Sequence, residues 1–200
     1  IAILDNFCWC SANEPERLYQ LKASARACYD YAIAYGTPFI SGKDSMFNDF
    51  RGYDAEANPV KISALPTLLI SAISVIKDHR KVVSMDLKIP GDLLYVLGSD
   101  VKSLQVDAIK NLKLYRNLQR AINQGLVASS QSIAKGGVAM ALIKKTMAAK
   151  LGVEINYDSA NLFSEAPGRI LVSVDSNKRV EFEACFVSLE LREIGLVKGN

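Results

Sequence analysis

Four consecutive residues, Gly42, Lys43, Asp44 and Ser45, place a cation, an anion and a hydroxyl directly behind a glycine. Glycine lets the backbone approach a ligand closely, and a lysine ammonium neutralises phosphate, so the segment is typical of a phosphate-binding loop. The simpler alternative is a polar turn between two strands. The Walker phosphate-binding motif is excluded, because Gly36 lies one residue too far from Gly42 and Asp44 stands where that motif needs Ser or Thr.

The cysteines and the single histidine do not form a recognisable metal motif. The cysteines are scattered, Cys8 and Cys10 lack the C-x-x-C spacing, and only His79 could complete a zinc site. We interpret the cysteines as buried, reduced thiols of a cytosolic protein, which predicts a cytoplasmic location.

The composition is that of an ordinary globular chain. Its 200 residues carry a formal net charge of only +3, which argues against nucleic acid or an anionic membrane as a partner. The longest apolar run, residues 64–76, is too short to span a bilayer. The first residues are already strand-like, so we expect the chain to be a segment of a longer protein.

The first half of the chain predicts elements that would bring Asp5 and Gly42 together. A buried strand ends at Asp5, an amphipathic helix over 15–35 follows with Gly36 as its cap, and a second strand over 38–41 ends at Gly42. Asp5 and Gly42 would then lie at the ends of neighbouring strands and converge on one ligand. A polar loop over 48–59 and a strand over 64–77 complete this half.

The hydrophobic pattern stops near residues 77–81, which predicts a domain boundary there. Beyond it, strands and helices continue to alternate, and this alternation predicts an α/β or α+β layer structure. The predicted strands are 81–88, 92–97, 152–155, 169–175 and 192–196, and the predicted helices are 101–124, 136–150 and 177–185. Leu104, Ile109, Leu112, Leu114 and Leu118 are the predicted core residues of the first of these helices.

Two motifs at this separation, LDNFCW at 4–9 and GTPFISGKDSMFND at 36–49, carry a family resemblance. Together they resemble phosphoribosylformylglycinamidine synthase, the ATP-dependent amidotransferase of purine biosynthesis. Four further segments agree in order along the chain: ISAISVIKD at 70–78, PGDLLYVLGS at 90–99, GGVAMALIKK at 136–145 and LFSEAPGRILVSV at 162–174. The resemblance covers essentially the whole chain and is closest to the third quarter of that family's large synthetase subunit.

The resemblance implies a fold and a set of site residues. Residues 1–79 would be most of a PurM-like, ATP-binding A domain, and residues 80–200 a PurM-like C-terminal α/β domain, truncated at its end. Asp5, Gly42 and Lys43 would contact ATP, and Ser45 would contact formylglycinamide ribonucleotide. No catalytic residue and no metal ligand is implied here, because the family's catalytic histidine lies in an N-terminal half that this chain lacks.

The chain departs from the family's pattern at two places. Many relatives have asparagine, a magnesium ligand, at the position of Lys43, and a charged lysine cannot coordinate Mg²⁺. We expect Lys43 to contact phosphate directly. In the second half the family's H-D-x-S-x-G-G loop reads QSIAKGG at 131–137, which resembles a degenerate copy of the substrate site.

The resemblance therefore implies part of an ATP-dependent carbon–nitrogen ligase that works with ATP and Mg²⁺, and that is inactive as this segment alone. Its partners would be formylglycinamide ribonucleotide, the missing half, a glutaminase that supplies ammonia, or a second copy of this segment as a homodimer. Two alternatives stay open: a non-catalytic scaffold for subunit docking, and another PurM-superfamily enzyme such as aminoimidazole ribonucleotide synthetase or selenophosphate synthetase.

Overall fold

The computed structural model describes residues 1–99 and 106–199, and the chain forms two compact units. Unit 1 comprises residues 1–77 and unit 2 residues 78–200. Both units combine helices with β-sheets, which confirms the predicted mixed α/β class. Within the described part of the chain, no helix has the length and apolar character needed to cross a membrane.

Unit 1 is built on a three-stranded sheet with the order β2-β1-β5, accompanied by a separate β3-β4 hairpin. Strands β1 and β2 are parallel, and β5 is antiparallel to β1. The elements are β1 (Ala2–Cys8), α1 (Pro15–Tyr35), β2 (Phe39–Ser45), β3 (Asp49–Tyr53), β4 (Pro59–Ser63) and β5 (Thr67–Ile73).

Helix α1 has the bounds that the sequence predicts. Pro15 occupies its first turn, where its missing N–H costs nothing. Gly36 ends it with a φ of 65°, a left-handed conformation that glycine adopts without strain, and its N–H donates to the Ile33 carbonyl at 3.1 Å.

The predicted ends of the first two strands were wrong. Strand β1 continues beyond Asp5 to Cys8, and β2 continues beyond Gly42 to Ser45, so Lys43 lies inside a strand rather than in a turn. Pairing between the two parallel strands extends to Cys8 opposite Ser45, and these backbone hydrogen bonds override the turn tendency of the polar residues. The predicted loop at 48–59 contains β3, whose pairing with β4 the composition did not reveal.

Unit 2 is a five-stranded antiparallel sheet with the order β7-β9-β6-β10-β8. Helices cover both of its faces. The elements are β6 (Leu93–Leu97), α2 (Ala108–Asn123), β7 (Ser129–Ser132), α3 (Gly137–Ala149), β8 (Gly152–Ile155), β9 (Ile170–Val174), α4 (Arg179–Ala184) and β10 (Leu191–Lys198).

Alternate side chains of β6 pack into two different hydrophobic cores. Tyr95 and Leu97 pack with α2 and α4 on one face, and Leu94 and Val96 pack with α3 on the other. Strand β6 therefore has apolar residues in consecutive positions, as expected for a strand buried on both sides.

Two predictions for unit 2 were wrong. Residues 81–88 do not form a strand; a short 3₁₀ turn, His79–Lys81, is stabilised by the Asp78 carboxylate, and irregular chain follows. The predicted helix 101–124 does not include residues 106 and 107, because α2 begins at Ala108, where the Asp107 carboxylate accepts a hydrogen bond from the Lys110 N–H at 3.0 Å. Residues 101–105 of this prediction lie outside the described residues.

The core predictions for this helix had mixed outcomes. Leu114 and Leu118 are buried as predicted, whereas Ile109 is 78% exposed and was predicted wrongly. Leu104 lies outside the described residues.

Candidate functional site

The parallel pairing of β1 with β2 brings the predicted site residues together along the backbone. Asp5 pairs with Gly42, Asn6 with Lys43, and Cys8 with Ser45. Strand β2 lies at the edge of its sheet, so its backbone is paired on one side by β1. The four predicted residues Asp5, Gly42, Lys43 and Ser45 thus occupy two adjacent strands.

The side chain of Asp5 lies on the sheet face that carries α1. Phe7 packs against Leu21 and Cys28 of α1, and Asp5, two residues before Phe7 in the strand, shares its face. Consistently, burial and then the negative charge of Asp5 raise the pKa of the Cys28 thiol.

Gly42 is required by the position of this carboxylate. A β carbon at residue 42 would lie 2.2 Å from the Asp5 Oδ1 atom and 2.7 Å from its Cγ atom. Asp5 therefore occupies the space that a side chain at position 42 would need, and any larger residue there would displace the carboxylate.

Lys43 and Ser45 project to the opposite face, which we call the open face of unit 1. Strand alternation places them one and three residues after Gly42, and therefore away from α1. The Lys43 side chain is exposed, and its ammonium makes no ion pair or hydrogen bond with the described residues. The structure thus brings the four predicted residues together in the backbone but divides their side chains between the two faces.

Asn48, which the sequence analysis missed, forms hydrogen bonds that hold Ser45. Its Nδ2 atom donates to the Ser45 carbonyl at 2.9 Å, and its Oδ1 atom accepts from the Ser45 hydroxyl at 3.2 Å. Its backbone N–H donates to the Trp9 carbonyl at 3.0 Å, which joins the loops after β1 and β2. A serine followed three residues later by asparagine at the end of a strand is the signal that could have found it.

Asp49 is a buried carboxylate beside this loop. Its side chain is only 3% exposed, and the Lys61 ammonium lies 3.6 Å from Oδ2 and also pairs with Glu14. Neither oxygen makes a hydrogen bond of good geometry with a described residue. Burial acts to raise the pKa of Asp49, but the nearby Ser63 hydroxyl and the Lys61 charge outweigh it, so the net shift of this pKa is downward. Lys61 thereby links Asp49 of the β3-β4 hairpin to Glu14, which precedes α1.

The QSIAKGG loop of unit 2 leads into α3, and the backbone geometry of the loop explains its two glycines. Gly136 and Gly137 have φ values of 82° and 64°, and a β carbon on Gly137 would lie 2.7 Å from the Leu162 carbonyl oxygen. The Gly136 N–H donates to Glu165 Oε1 at 2.8 Å, so the protein's own carboxylate contacts the start of the helix. The glycines are accounted for without any ligand.

The described residues do not form a metal site by themselves. Among positions 1–99 and 106–199 there is no group of three or more Asp, Glu, His or Cys side chains arranged to hold a metal ion. Mg²⁺ usually needs only one or two carboxylates when nucleotide phosphates supply the other ligands. The donor set of these described residues alone therefore does not fit an independent magnesium centre.

The chain matches a curated protein over nearly its whole length. It is 29% identical to phosphoribosylformylglycinamidine synthase subunit PurL of Lactobacillus helveticus. The alignment has 218 positions and covers 98% of this chain and 28% of the relative. The chain is similar to PurL. This confirms the family resemblance found in the sequence, although no family model matches.

Solved structures of PurL share the fold. Thermotoga maritima PurL complexed with ATP has a TM-score of 0.67 at 16% identity, and the PurLQS structure from the same organism has 0.71 at 18%. Each covers the whole of this chain, which spans 34% of the PurL chain. This chain thus spans about a third or less of the PurL proteins it matches.

The same fold occurs in a second protein. The hydrogenase maturation protein HypE of Escherichia coli has a TM-score of 0.66 at 18% identity, and the match covers all of this chain and 67% of HypE. At these identities, the structural matches establish the fold alone. The segment that matches this chain makes up 67% of HypE but only 34% of PurL, so HypE is about half as long as PurL.

Proposed function

We propose that this chain is part of an ATP-dependent carbon–nitrogen ligase that makes formylglycinamidine ribonucleotide in purine biosynthesis. ATP would phosphorylate the formyl amide oxygen of formylglycinamide ribonucleotide, and ammonia released from glutamine would displace phosphate to give the amidine. The support is the similarity to PurL over 98% of the chain, together with the exposed strand β2 that carries Lys43.

The observation that carries this proposal is the exposed ammonium of Lys43 beside Gly42, which pairs with no group in the part of the chain that the structure describes. An exposed lysine on an edge strand is available to a phosphate without first breaking an ion pair. Gly42 lets a nucleotide approach the backbone, and Ser45, on the face of Lys43, would contact the ribonucleotide substrate.

Asp5 would contact the same nucleotide from the other side of the sheet. Its carboxylate lies on the α1 face, so a ligand that touches both Asp5 and Lys43 must pass around the edge strand β2. Mg²⁺ would then arrive with the ATP phosphates, because the described side chains offer no complete metal site. Phosphoryl transfer depends largely on positioning and on neutralising charge, which is the contribution we assign to Lys43.

The proposed partners are an N-terminal synthetase half and a glutaminase. T. maritima PurL has been solved in complex with FGAR and within PurLQS.

His79 is exposed in the short turn that begins unit 2, and we assign it no catalytic role; the catalytic histidine would reside in the other half. We place the assembled enzyme in the cytoplasm.

A second candidate, a non-catalytic scaffold, is favoured by one observation in unit 2. The start of α3 is contacted by Glu165, and the loop before it lacks the histidine and aspartate of the family pattern. We therefore assign unit 2 a packing role within the enzyme, and we assign ligand binding to unit 1.

Calorimetric titration of ATP into the complete synthetase tests the proposal. Lys43→Ala should weaken ATP binding by about 5- to 150-fold, which corresponds to the roughly 1–3 kcal/mol of a hydrogen bond to a charged group. Lys22→Ala, which removes an exposed lysine of α1, is the matched control and should leave the dissociation constant unchanged. An unaltered ATP affinity in Lys43→Ala would exclude the phosphate contact.

A further inference from the structure

Ser45 ends β2 with its carbonyl group fully engaged. The carbonyl oxygen accepts one hydrogen bond from the Trp9 N–H at 2.8 Å and a second from Asn48 Nδ2 at 2.9 Å. A carbonyl oxygen has two lone pairs, so these two donors satisfy it. The backbone of Ser45 is therefore fixed by the loops that follow β1 and β2.

The chemistry of these contacts determines which way the Asn48 amide points. The Ser45 carbonyl can only accept, so the Asn48 atom that faces it must be the NH₂ group. This orientation directs Nδ2 towards Cys8 Sγ at 3.5 Å as well, and leaves Oδ1 at 3.2 Å from the Ser45 hydroxyl. Because Oδ1 can only accept, the hydroxyl must donate its proton to Asn48.

The backbone holds Asn48 in this position. Its N–H donates to the Trp9 carbonyl, and its own carbonyl accepts from the Ala64 N–H at 2.9 Å. The preceding residue, Phe47, has a φ of 58°, a left-handed conformation that is costly for a bulky residue. Two hydrogen bonds then join the Asn48 side chain to Ser45.

We infer that Asn48 is a positioning residue that fixes the Ser45 hydroxyl as a hydrogen-bond acceptor for the substrate. With its proton committed to Asn48, the hydroxyl presents only lone pairs to a ligand. It therefore selects a substrate N–H or O–H group, such as an amide N–H or a sugar hydroxyl. A phosphate oxygen would meet lone-pair repulsion there. This inference rests on the proposed function, in which Ser45 contacts the ribonucleotide.

A double-mutant cycle in the complete synthetase tests this inference, with the KM for formylglycinamide ribonucleotide as the readout. Ser45→Ala and Asn48→Ala should each raise this KM by about 3- to 10-fold, the effect of one neutral hydrogen bond. The kcat should change by less than about twofold, as expected when binding of the ground state and the transition state is lost equally. The double variant should be no worse than Ser45→Ala, because Asn48 acts through Ser45.

Two further variants separate positioning from folding. Asn48→Asp keeps an oxygen that accepts the Ser45 proton but loses the donor to the Ser45 carbonyl, so it should lower the melting temperature while its KM stays below that of Asn48→Ala. Asn58→Ala, which removes an asparagine bonded to Asp54 in the β3-β4 turn, should leave the KM unchanged.

The outcomes separate this inference from the proposed function. A wild-type KM in Ser45→Ala would overturn the proposed substrate contact and this inference with it. A raised KM in Ser45→Ala with a wild-type KM in Asn48→Ala would overturn the inference alone. Fully multiplicative effects in the double variant, or an Asn48→Asp KM as high as that of Asn48→Ala, would likewise overturn it.

Discussion

The sheets of the two units differ in how they are covered. In unit 2, helices pack on both faces, and the buried strand β6 contributes alternate residues to two cores. In unit 1, one helix packs on one face, and the buried cluster contains only Phe7, Trp9 and Cys10. Unit 2 therefore derives its stability from its own core, whereas unit 1 presents a sheet face suited to another surface.

The open face of unit 1 is partly apolar. Leu69 and Ile73 of β5 lie in register with Asn6 and Ala2, and are 58% and 57% exposed. Contiguous apolar surface of this kind marks contact sites in proteins. We propose that this face binds a second copy of the chain about a two-fold axis.

The largest expected difference between the units concerns their aromatic core residues. Phe182 is fully buried, with its ring centroid 5.1 Å from that of Tyr95 and 4.9 Å from that of Phe186. Phe182→Ala should lower the free energy of unfolding by about 3–5 kcal/mol, because it leaves a cavity in a closely packed core. Urea unfolding followed by circular dichroism measures this loss.

The corresponding change in unit 1 is Phe7→Ala, which should lower the free energy of unfolding by less than Phe182→Ala does. Leu21, Cys28 and Leu68 around Phe7 are themselves half-buried and can relax into the space. Phe163→Ala, at a 68% exposed site of unit 2, is the control and should be nearly neutral. Equal losses for Phe7→Ala and Phe182→Ala would contradict the contrast between the two cores.

A second expected effect concerns a lysine buried in unit 2. Lys145 has no exposed surface, and its ammonium donates to Ser129 Oγ at 2.6 Å. Burial lowers the pKa of Lys145 from 10.5 to about 8, although the charge of Asp86 opposes this shift. The unfolded chain therefore binds more protons between pH 8 and 10.5, so this group makes the protein more stable as pH rises through that range.

Lys145→Met should remove this dependence. Below pH 8 Lys145 is charged in both the folded and the unfolded state. Burying this charge then costs the folded state about 3 kcal/mol, because each unit by which the pKa is lowered corresponds to about 1.36 kcal/mol. The variant should therefore be more stable at pH 7 by up to about this amount. Lys144→Met, at the exposed neighbouring lysine, is the control. Parallel stability curves for Lys145→Met and wild type from pH 7 to 10.5 would contradict the assignment.

The smallest expected effect on stability is at the open face of unit 1. Leu69→Ser should change the free energy of unfolding by no more than about 0.5 kcal/mol, because the side chain is largely exposed. It should nevertheless weaken self-association of the chain, measured by analytical ultracentrifugation at about tens of micromolar, where weak two-fold contacts are seen. Val187→Ser, at an exposed site of unit 2, should have no such effect. A wild-type chain that stays monomeric there would contradict the docking proposal for a second copy.

The sequence predicted the elements whose signals are local. Pro15 and Gly36 defined α1 correctly, because a helix start and a helix cap each depend on one residue. The extension of β2 through Lys43 and Ser45 was not predictable in this way, since it depends on pairing with β1, more than thirty positions earlier. Local propensity favoured a turn there, and tertiary hydrogen bonding prevailed.

The candidate site was predictable only in part for the same reason. The motif indicated Asp5 and Gly42 as neighbours, and the register pairs them directly. The division of Asp5 and Lys43 between opposite faces follows from strand alternation, which could not be applied while the segment was read as a turn. Asn48 was missed because its contacts with Ser45 follow a left-handed residue, Phe47, whose conformation the sequence does not indicate.

The exposed edge strand β2 also determines how mutations there should be read in an evolutionary or saturation-mutagenesis experiment. Ile40, Ser41, Lys43 and Asp44 are all exposed, so packing places little restriction on which residues they can be. The range of substitutions that Lys43 tolerates therefore measures selection for binding. The range tolerated at buried positions of β6, such as Leu94, measures selection for folding. Gly42 is the exception within β2, because its substitution is limited by the Asp5 carboxylate before any ligand is considered.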